Sequence, residues 1–176
     1  VETARARRRK VWVIADEASY PQRVCMADPS LLRMFDLPLV RGKLDEVLVK
    51  PFSLVITEST AKQWFGAEDP IGKQVTVESL QIPGTYTVTG VLRDLPQNMS
   101  EPFRFDILTP PHRRWKRWLE LTTSTRHLYT FVQLRSPNDA PELHSKLQQF
   151  LEQKFGAEKA EQQAYHLQPA SDWHLD

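Results

Sequence analysis

The chain has 176 residues, 40% of them hydrophobic, with 23 Lys and Arg against 22 Asp and Glu and a net charge of +1. A chain of this length buries roughly 70% of its unfolded surface on folding, enough for one domain or two small ones, and its near-neutral balance creates no global field for a polyanion. The single cysteine, Cys25, excludes an internal disulfide and a multi-cysteine zinc cluster and reads as a small buried apolar residue. No run approaches the ~18 consecutive apolar residues of a membrane span, and the first residues carry no apolar signal core. The opening VETARARRRK lacks a Met and reads as part of something longer.

In chain order, the run RARRRK, Arg5 to Lys10, is a candidate contact for phosphates or lipid head groups, or else a solvated strand edge. VWVI at 11–14 predicts a short strand. DPSLLRMF predicts a helical turn from an Asp28 N-cap, with Leu31, Leu32 and Phe35 on one face. In SLVITESTAKQWFG, Leu54 to Ile56 suit a strand and Thr57 a cap, and Ala61, Trp64 and Phe65 share a helical face that ends at Gly66.

The alternating KQVTVES and TYTVTGVLRDL predict a hairpin around QIPG, with Pro83 and Gly84 at the centre of a type II turn. FRFDIL predicts a further strand, PPHRRWKRW interrupts the pattern, and HLYTFVQL alternates with Leu128, Thr130, Val132 and Leu134 on one side. The clearest helix then starts at an Asp139 N-cap with Pro141 in its first turn. It carries Leu143, Leu147, Phe150, Leu151 and Phe155 as a stripe and stops at Gly156. AYHLQP predicts a last strand, which makes a βαβ-like unit in a loop-rich α+β chain with thirteen prolines.

The segment WFGAEDPIGKQVTV contains a Gly-Lys pair that invites comparison with a phosphate loop. Five residues separate Gly66 from Gly72 where a Walker loop has four, and Gln74 follows Lys73 where it has Ser or Thr. The segment also leaves a helix and enters a strand, the reverse of a phosphate loop, Glu68 and Asp69 would repel a triphosphate, and Pro70 has no N–H to offer it. The residues instead spell a corner: Gly66 stops the helix, Asp69-Pro70 turns, Gly72 permits a tight entry, and Val75 and Val77 begin a strand.

The histidines at 112, 127, 144, 166 and 174 form no HExxH and no i, i+4 pair, so no helical zinc site is spelled. SDWHL places Ser171, Asp172 and His174 close in sequence without a nucleophile turn, so they read as solvated polar residues. The residues thus point to no catalytic group, metal or cofactor. PPHRRWKRW interleaves Arg113, Arg114, Lys116 and Arg117 with Trp115 and Trp118, a pattern that fits a nucleic-acid or anionic-lipid contact, or a short amphipathic segment.

Four stretches together resemble the MacB-like periplasmic core domain of FtsX-like ABC transporter permeases: ADPSLLRMFDLPLVRG, SLVITESTAKQWFGAEDPIGKQVTV, YTVTGVLRDLPQNM and LQPASDWHL, in the family's order. The resemblance implies an α+β fold with a porter-like βαβ subdomain and an inserted second α/β subdomain. The porter-like part would comprise 1–43 and 121–176, and the insertion 44–120. It implies a domain on the periplasmic face of the bacterial inner membrane, between two transmembrane helices, driven by a cytoplasmic ATPase, without chemistry or cofactor of its own. Expected partners are the permease's own transmembrane helices, the ATPase and a periplasmic adaptor or lipoprotein, and no nucleic acid.

Trp64, Phe65, Gly66, Asp69, Pro70, Gly72 and Gly90 stand as structural family residues, while Arg113, Arg114, Trp115, Arg117, Trp118 and Trp173 are candidates for a membrane or partner surface. The family's preceding strand and helix have no counterpart in this sequence. The porter-like half is therefore expected to be incomplete, with an open edge that invites pairing, and RARRRK becomes the end of a helix running into a strand. A periplasmic ligand-binding sensor is the alternative reading, and it requires a closed apolar pocket.

Overall fold

The computed structural model describes residues 1–79, 82–96, 103–111, 128–157 and 167–172. They fall into two compact units, Thr3–Phe131 and a smaller one of Val1–Glu2 with Val132–Asp176. The structure is a mixed α/β fold in which a large sheet outweighs a few helices.

In the larger unit, β1 (Glu2–Ala15) and β2 (Ala18–Ala27) form a long antiparallel hairpin, from Ala6 opposite Ala27 to Ala15 opposite Ala18. β2 continues into parallel pairing with β7 (Ile107–Thr109), and β7 runs antiparallel to β4 (Ser53–Thr57). β4 is parallel to β6 (Gly84–Leu92), β6 is antiparallel to β5 (Gln74–Glu78), and β5 returns to β1 with Val77 opposite Val13. Because β1 pairs with β2 along one edge and with β5 along the other, these strands close into a barrel. The short β3 (Leu39–Arg41) pairs with the end of β6, and β8 (Tyr129–Gln133), which contributes Tyr129 to Phe131 to this unit, neighbours β1.

Strand alternation sorts the apolar residues into two layers. Val11, Val13, Val24, Met26, Leu54, Ile56, Val75, Val77, Tyr86, Val88 and Ile107 share one core, to which α2 (Glu58–Phe65) adds Trp64 and Phe65. The alternate residues Cys25, Ala27, Val55 and Leu108 face the other way and are buried as well, as are Leu31 and Leu32 of α1 (Ser30–Met34). Covering on both sides explains why all five residues of β4 are buried and its sequence does not alternate. An aromatic trio belongs to the same unit: the Phe35 ring stands edge-on to Phe103 and Phe131, with centroids at 4.6 and 4.9 Å.

Two Arg–Asp brackets repeat one geometry. The backbone N–H and Nε of Arg5 donate to Asp28 Oδ2 at 3.0 and 2.8 Å and Nη2 to Oδ1 at 3.0 Å, while the Asp28 N–H donates to the Arg5 carbonyl at 3.0 Å. Arg23 and Asp106 do the same at 2.8, 3.0, 2.6 and 2.8 Å. Each is a charge-assisted fork joined to a main-chain bond, so the two groups orient each other.

These contacts change several sequence expectations. Asp28 spends its carboxylate on Arg5, and α1 begins after Pro29 without a side-chain cap. Arg5 to Lys10 lie inside β1 and not at a helix end, and the 11–14 strand is the far half of that longer one. In the β5–β6 hairpin Gly84 already opposes Val77, so Pro83 and Gly84 are not the centre of a tight turn. Gly84 has φ 146, which L side chains rarely adopt, and a Cβ there would also crowd the Phe52 ring at 3.0 Å. β7 occupies only the end of FRFDIL, because Asp106 turns to Arg23 before the ladder starts. In β8 the buried residue is Phe131, which the aromatic trio draws inward, and it lies opposite the Leu128, Thr130, Val132 face.

In the smaller unit, α3 (Ala140–Phe155) follows a 3-10 turn at Pro137–Asp139. The N-terminal cap is displaced to Ser136: its Oγ accepts from the Asn138 N–H at 3.2 Å, and Asp139, the expected cap, instead accepts from the Ser136 N–H at 3.2 Å. Pro141 lies in the first turn and the helix stops at Gly156, whose N–H donates to the Glu152 carbonyl at 2.9 Å. Of the apolar stripe Leu151 is buried, and Phe150 is 53% exposed. The first half of AYHLQP lies outside the described residues, and Leu167 to Pro169 are not strand.

Two expected outcomes follow from the barrel. The β1–β2 turn consists of Asp16 and Glu17 alone, at φ 48 and 64, the primed turn that prefers Asp-Gly or Asn-Gly. Glu17→Gly should therefore stabilise the chain by about 0.5–1 kcal/mol, the left-handed penalty less the added freedom of the unfolded glycine, and raise Tm by roughly 1–4 °C. Burial pushes the Cys25 thiol and the Tyr86 phenol up to about 12, from ordinary values of 9.0 and 10.0. The unfolded chain then loses these protons first, so the stability contributed below pH 9 is lost as the pH rises toward 12. Melting curves across that range should show the decline, and Cys25→Ala with Tyr86→Phe should flatten it; an unchanged slope would refute the assignment.

Candidate functional site

The corner between α2 and β5 holds most of the residues singled out in the sequence. Thr57 caps α2, its Oγ1 accepting from the Thr60 N–H at 3.4 Å. A second cap was not legible: Asp94, just after β6, accepts the Ser59 N–H at 2.9 Å and the Ser59 hydroxyl on its other oxygen. With its start fixed by these two caps, α2 inserts Trp64 and Phe65 into the barrel core, at 3% and 8% exposure. The Trp64 indole N–H is buried with no hydrogen-bond partner among the described residues, so this side chain serves by packing.

Gly66 then ends the helix at φ 60, its N–H donating to the Lys62 carbonyl at 3.0 Å, and the Glu68 N–H donates to the Phe65 carbonyl at 3.1 Å. Asp69 makes the turn: its Oδ1 accepts the Ile71 N–H at 3.1 Å and the Arg41 guanidinium at 3.0 Å. Pro70 is buried, and its carbonyl accepts the Lys73 N–H at 3.1 Å. Gly72, at φ 83, donates to the Val88 carbonyl at 2.8 Å, and the Val88 N–H returns to the Lys73 carbonyl at 2.9 Å. The corner is thereby stitched to β6 before β5 begins.

The look-alike of a phosphate loop is thus internally occupied. The Gly72 and Lys73 N–H groups serve main-chain bonds, and the Lys73 ammonium pairs with Glu68 while lying 4.8 Å from the centre of the Phe65 ring. That pairing holds the Glu68 carboxyl below its ordinary range.

Gly90, on β6, answers to a different need. A Cβ there would come within 2.8 Å of Val47 Cγ1 and 3.2 Å of the Arg41 carbonyl. Across from it Gly42, at φ 91, would bring a Cβ within 2.6 Å of the Thr89 carbonyl. The two glycines let the loop after β3 close onto β6 with Val47 wedged between them.

Arg113, Arg114, Trp115, Arg117, Trp118 and Trp173 lie outside the described residues, as do His112, His127, His166 and His174. Among the described residues no group of three or more His, Cys, Asp or Glu is placed to hold a metal ion, and no helix is long and apolar enough to cross a membrane.

The sequence profile of the MacB-like periplasmic core domain matches residues 1–150. Solved structures share the fold. A domain of a permease protein from Porphyromonas gingivalis superposes with a TM-score of 0.70 at 25% identity, over 87% of this chain and 70% of that one. The periplasmic region of MacB from Actinobacillus actinomycetemcomitans gives 0.61 at 18% identity, over 87% of this chain and 66% of that one. The extracellular domain of the noncanonic ABC-type transporter YknZ from Gram-positive bacteria gives 0.62 at 16%, over 90% and 78%. No curated relative matches the chain. With 150 of its residues matched by the family profile and its fold shared with these domains, the chain belongs to the MacB-like periplasmic core domain family and is an extracytoplasmic domain of an ABC transporter permease.

Proposed function

We propose that this domain carries the ATP-driven movement of its permease to the extracytoplasmic side, where it moves substrate or passes force to a partner, and that it performs no chemistry. The supporting observation is the corner, whose backbone donors and lysine are committed inside the fold and leave no cradle for a nucleotide. Energy then comes from a cytoplasmic ATPase, reaching the domain through the permease's transmembrane helices, and the receiver is a periplasmic adaptor or lipoprotein and not a nucleic acid. Within this reading the inserted part corresponds to the barrel and the porter-like part to the unit around α3. That division differs from boundaries near residues 43 and 120 in keeping β1 and β2 with β5 and β7, with which they share one ring of strands.

The test uses the intact permease with its ATPase in membranes. Trp64→Ala empties the barrel core, at a cost of about 3–5 kcal/mol. It should abolish transport while ATP hydrolysis continues; undiminished transport by a permease whose barrel has melted would defeat the proposal. The isolated chain should hydrolyse no ATP, and turnover that disappears with Lys73→Met would defeat it equally.

A further inference from the structure

The outer wall of the barrel displays a tryptophan. Val11 and Val13 of β1 are buried in the core, and Trp12 between them points outward at 53% exposure. Strand register fixes its neighbours. Trp12 is the direct partner of Pro21 on β2 and of Glu78 on β5; two residues on, Ile14 is the partner of Ser19 and of Thr76, which itself opposes Thr85 on β6. Directly paired residues share a face of the sheet, so these side chains form one continuous surface over β2, β1, β5 and β6, with Lys10 one step beyond Trp12. At ordinary strand and residue spacings it measures about 14 Å across the strands and about 13 Å along them.

This surface keeps its polar groups in reserve. The side chains of Lys10, Ser19, Thr76, Glu78 and Thr85 are exposed and make no hydrogen bond or ion pair among the described residues, in contrast to those of the corner. The Trp12 indole stacks on no other ring among them. The backbone beneath is held in three successive antiparallel ladders, so the groups are presented on a rigid support. An aromatic plane with unspent donors and acceptors at its edge, fixed in register, is a preorganised site for a ligand that both stacks and hydrogen-bonds.

The groups around the indole select the ligand. Glu78 across the strand repels an anion and Lys10 along it repels a cation, so a nucleic acid, an anionic head group and a basic segment each meet an opposing charge. A protein interface places its aromatic anchors in an apolar centre depleted of charge, whereas Trp12 has a carboxylate as its direct partner. A sugar ring meets all of these groups at once. Its C–H face is apolar and stacks on the indole, as bases stack on aromatic platforms; its hydroxyls donate to the Glu78 carboxylate, accept from the Lys10 ammonium and exchange bonds with Ser19, Thr76 and Thr85. We infer that the outer face of β2, β1, β5 and β6 binds a neutral saccharide chain on the extracytoplasmic side, with Trp12 as the stacking platform and Glu78 as the acceptor for ring hydroxyls. The inference is independent of the transmission role.

Titration of the isotope-labelled chain with cellotetraose and with chitotetraose, followed by NMR, tests it. The Trp12 indole N–H signal, assigned by its absence in Trp12→Phe, should shift and saturate with a Kd of about 1 mM, the weak range of a single open platform. The amide signals of Ser19, Thr76 and Glu78 should move with it. Trp12→Ala should weaken binding about tenfold, as the loss of an anchor does, and Trp12→Phe, which keeps a smaller ring, by less. Glu78→Gln, which turns a charged acceptor into a neutral one, should weaken it about fivefold. None of these exposed substitutions should lower Tm, so lost binding is not lost folding. An absence of saturation below about 10 mM with both sugars, shifts that spare Trp12, or undiminished binding by Trp12→Ala would overturn the inference. So would the same shifts produced by phosphatidylglycerol vesicles or by a proline-rich peptide in place of the sugar.

Discussion

The structure depends on one strand being paired along both edges. β1 meets β2 over ten residue pairs on one side, but on the other it meets β5 over only three, Trp12 to Ile14. β7 is equally brief, with three pairs to β2 and two to β4. Ladders this short supply little main-chain bonding, so closure of the ring rests on apolar burial from both faces and on the Arg23–Asp106 bracket at the β2–β7 seam. The bracket's side chains are 45% and 20% exposed, so its worth lies less in Coulomb energy than in fixing register, which a two-bond fork, a bond from the Arg23 N–H to the same carboxylate and one main-chain bond do well.

Ring closure in turn positions the corner. β5 can present Val75 and Val77 to the core only if the chain enters it at one point, and the reciprocal bonds between Gly72, Lys73 and Val88 set that point. The helix on the other side is fixed independently, by Thr57 and Asp94 at its start and by Trp64 and Phe65 in the core. Gly66, Asp69, Pro70 and Gly72 then have a short path to span between two anchored elements, and each has a geometric duty along it.

Local signals made much of this legible. α2 with its Thr57 cap and Gly66 stop, the β5–β6 hairpin, β4 and α3 all follow from periodicity and terminal residues, and the four family-like stretches pointed to the family that the profile and the solved structures show. What escaped was non-local or atypical. β2 was unread because its turn is Asp-Glu, where the usual signal is Asn-Gly, and because Pro21 and Gln22 break its alternation. Asp28 looked like a cap since nothing in sequence announces Arg5, 23 residues away; Asp106 and Arg23, and Asp94 and Ser59, are joined over still longer gaps of 83 and 35 residues. The role of Gly90 was equally hidden, because its neighbour Val47 comes from a loop with no periodic signal.

The same accounting bears on what the corner can do for another molecule. A site that performs chemistry keeps polar groups in reserve for a substrate, whereas here the main-chain donors of Gly66, Glu68, Ile71, Gly72 and Lys73 all have partners within the chain. Its charges, too, are matched: Arg41 with Asp69, and Lys73 with Glu68. What such a region has left to offer is shape and apolar surface, held in place by bonds that would have to break before the surface could deform. The transmission role proposed above draws on those properties, since a compliant contact absorbs the motion it is meant to deliver.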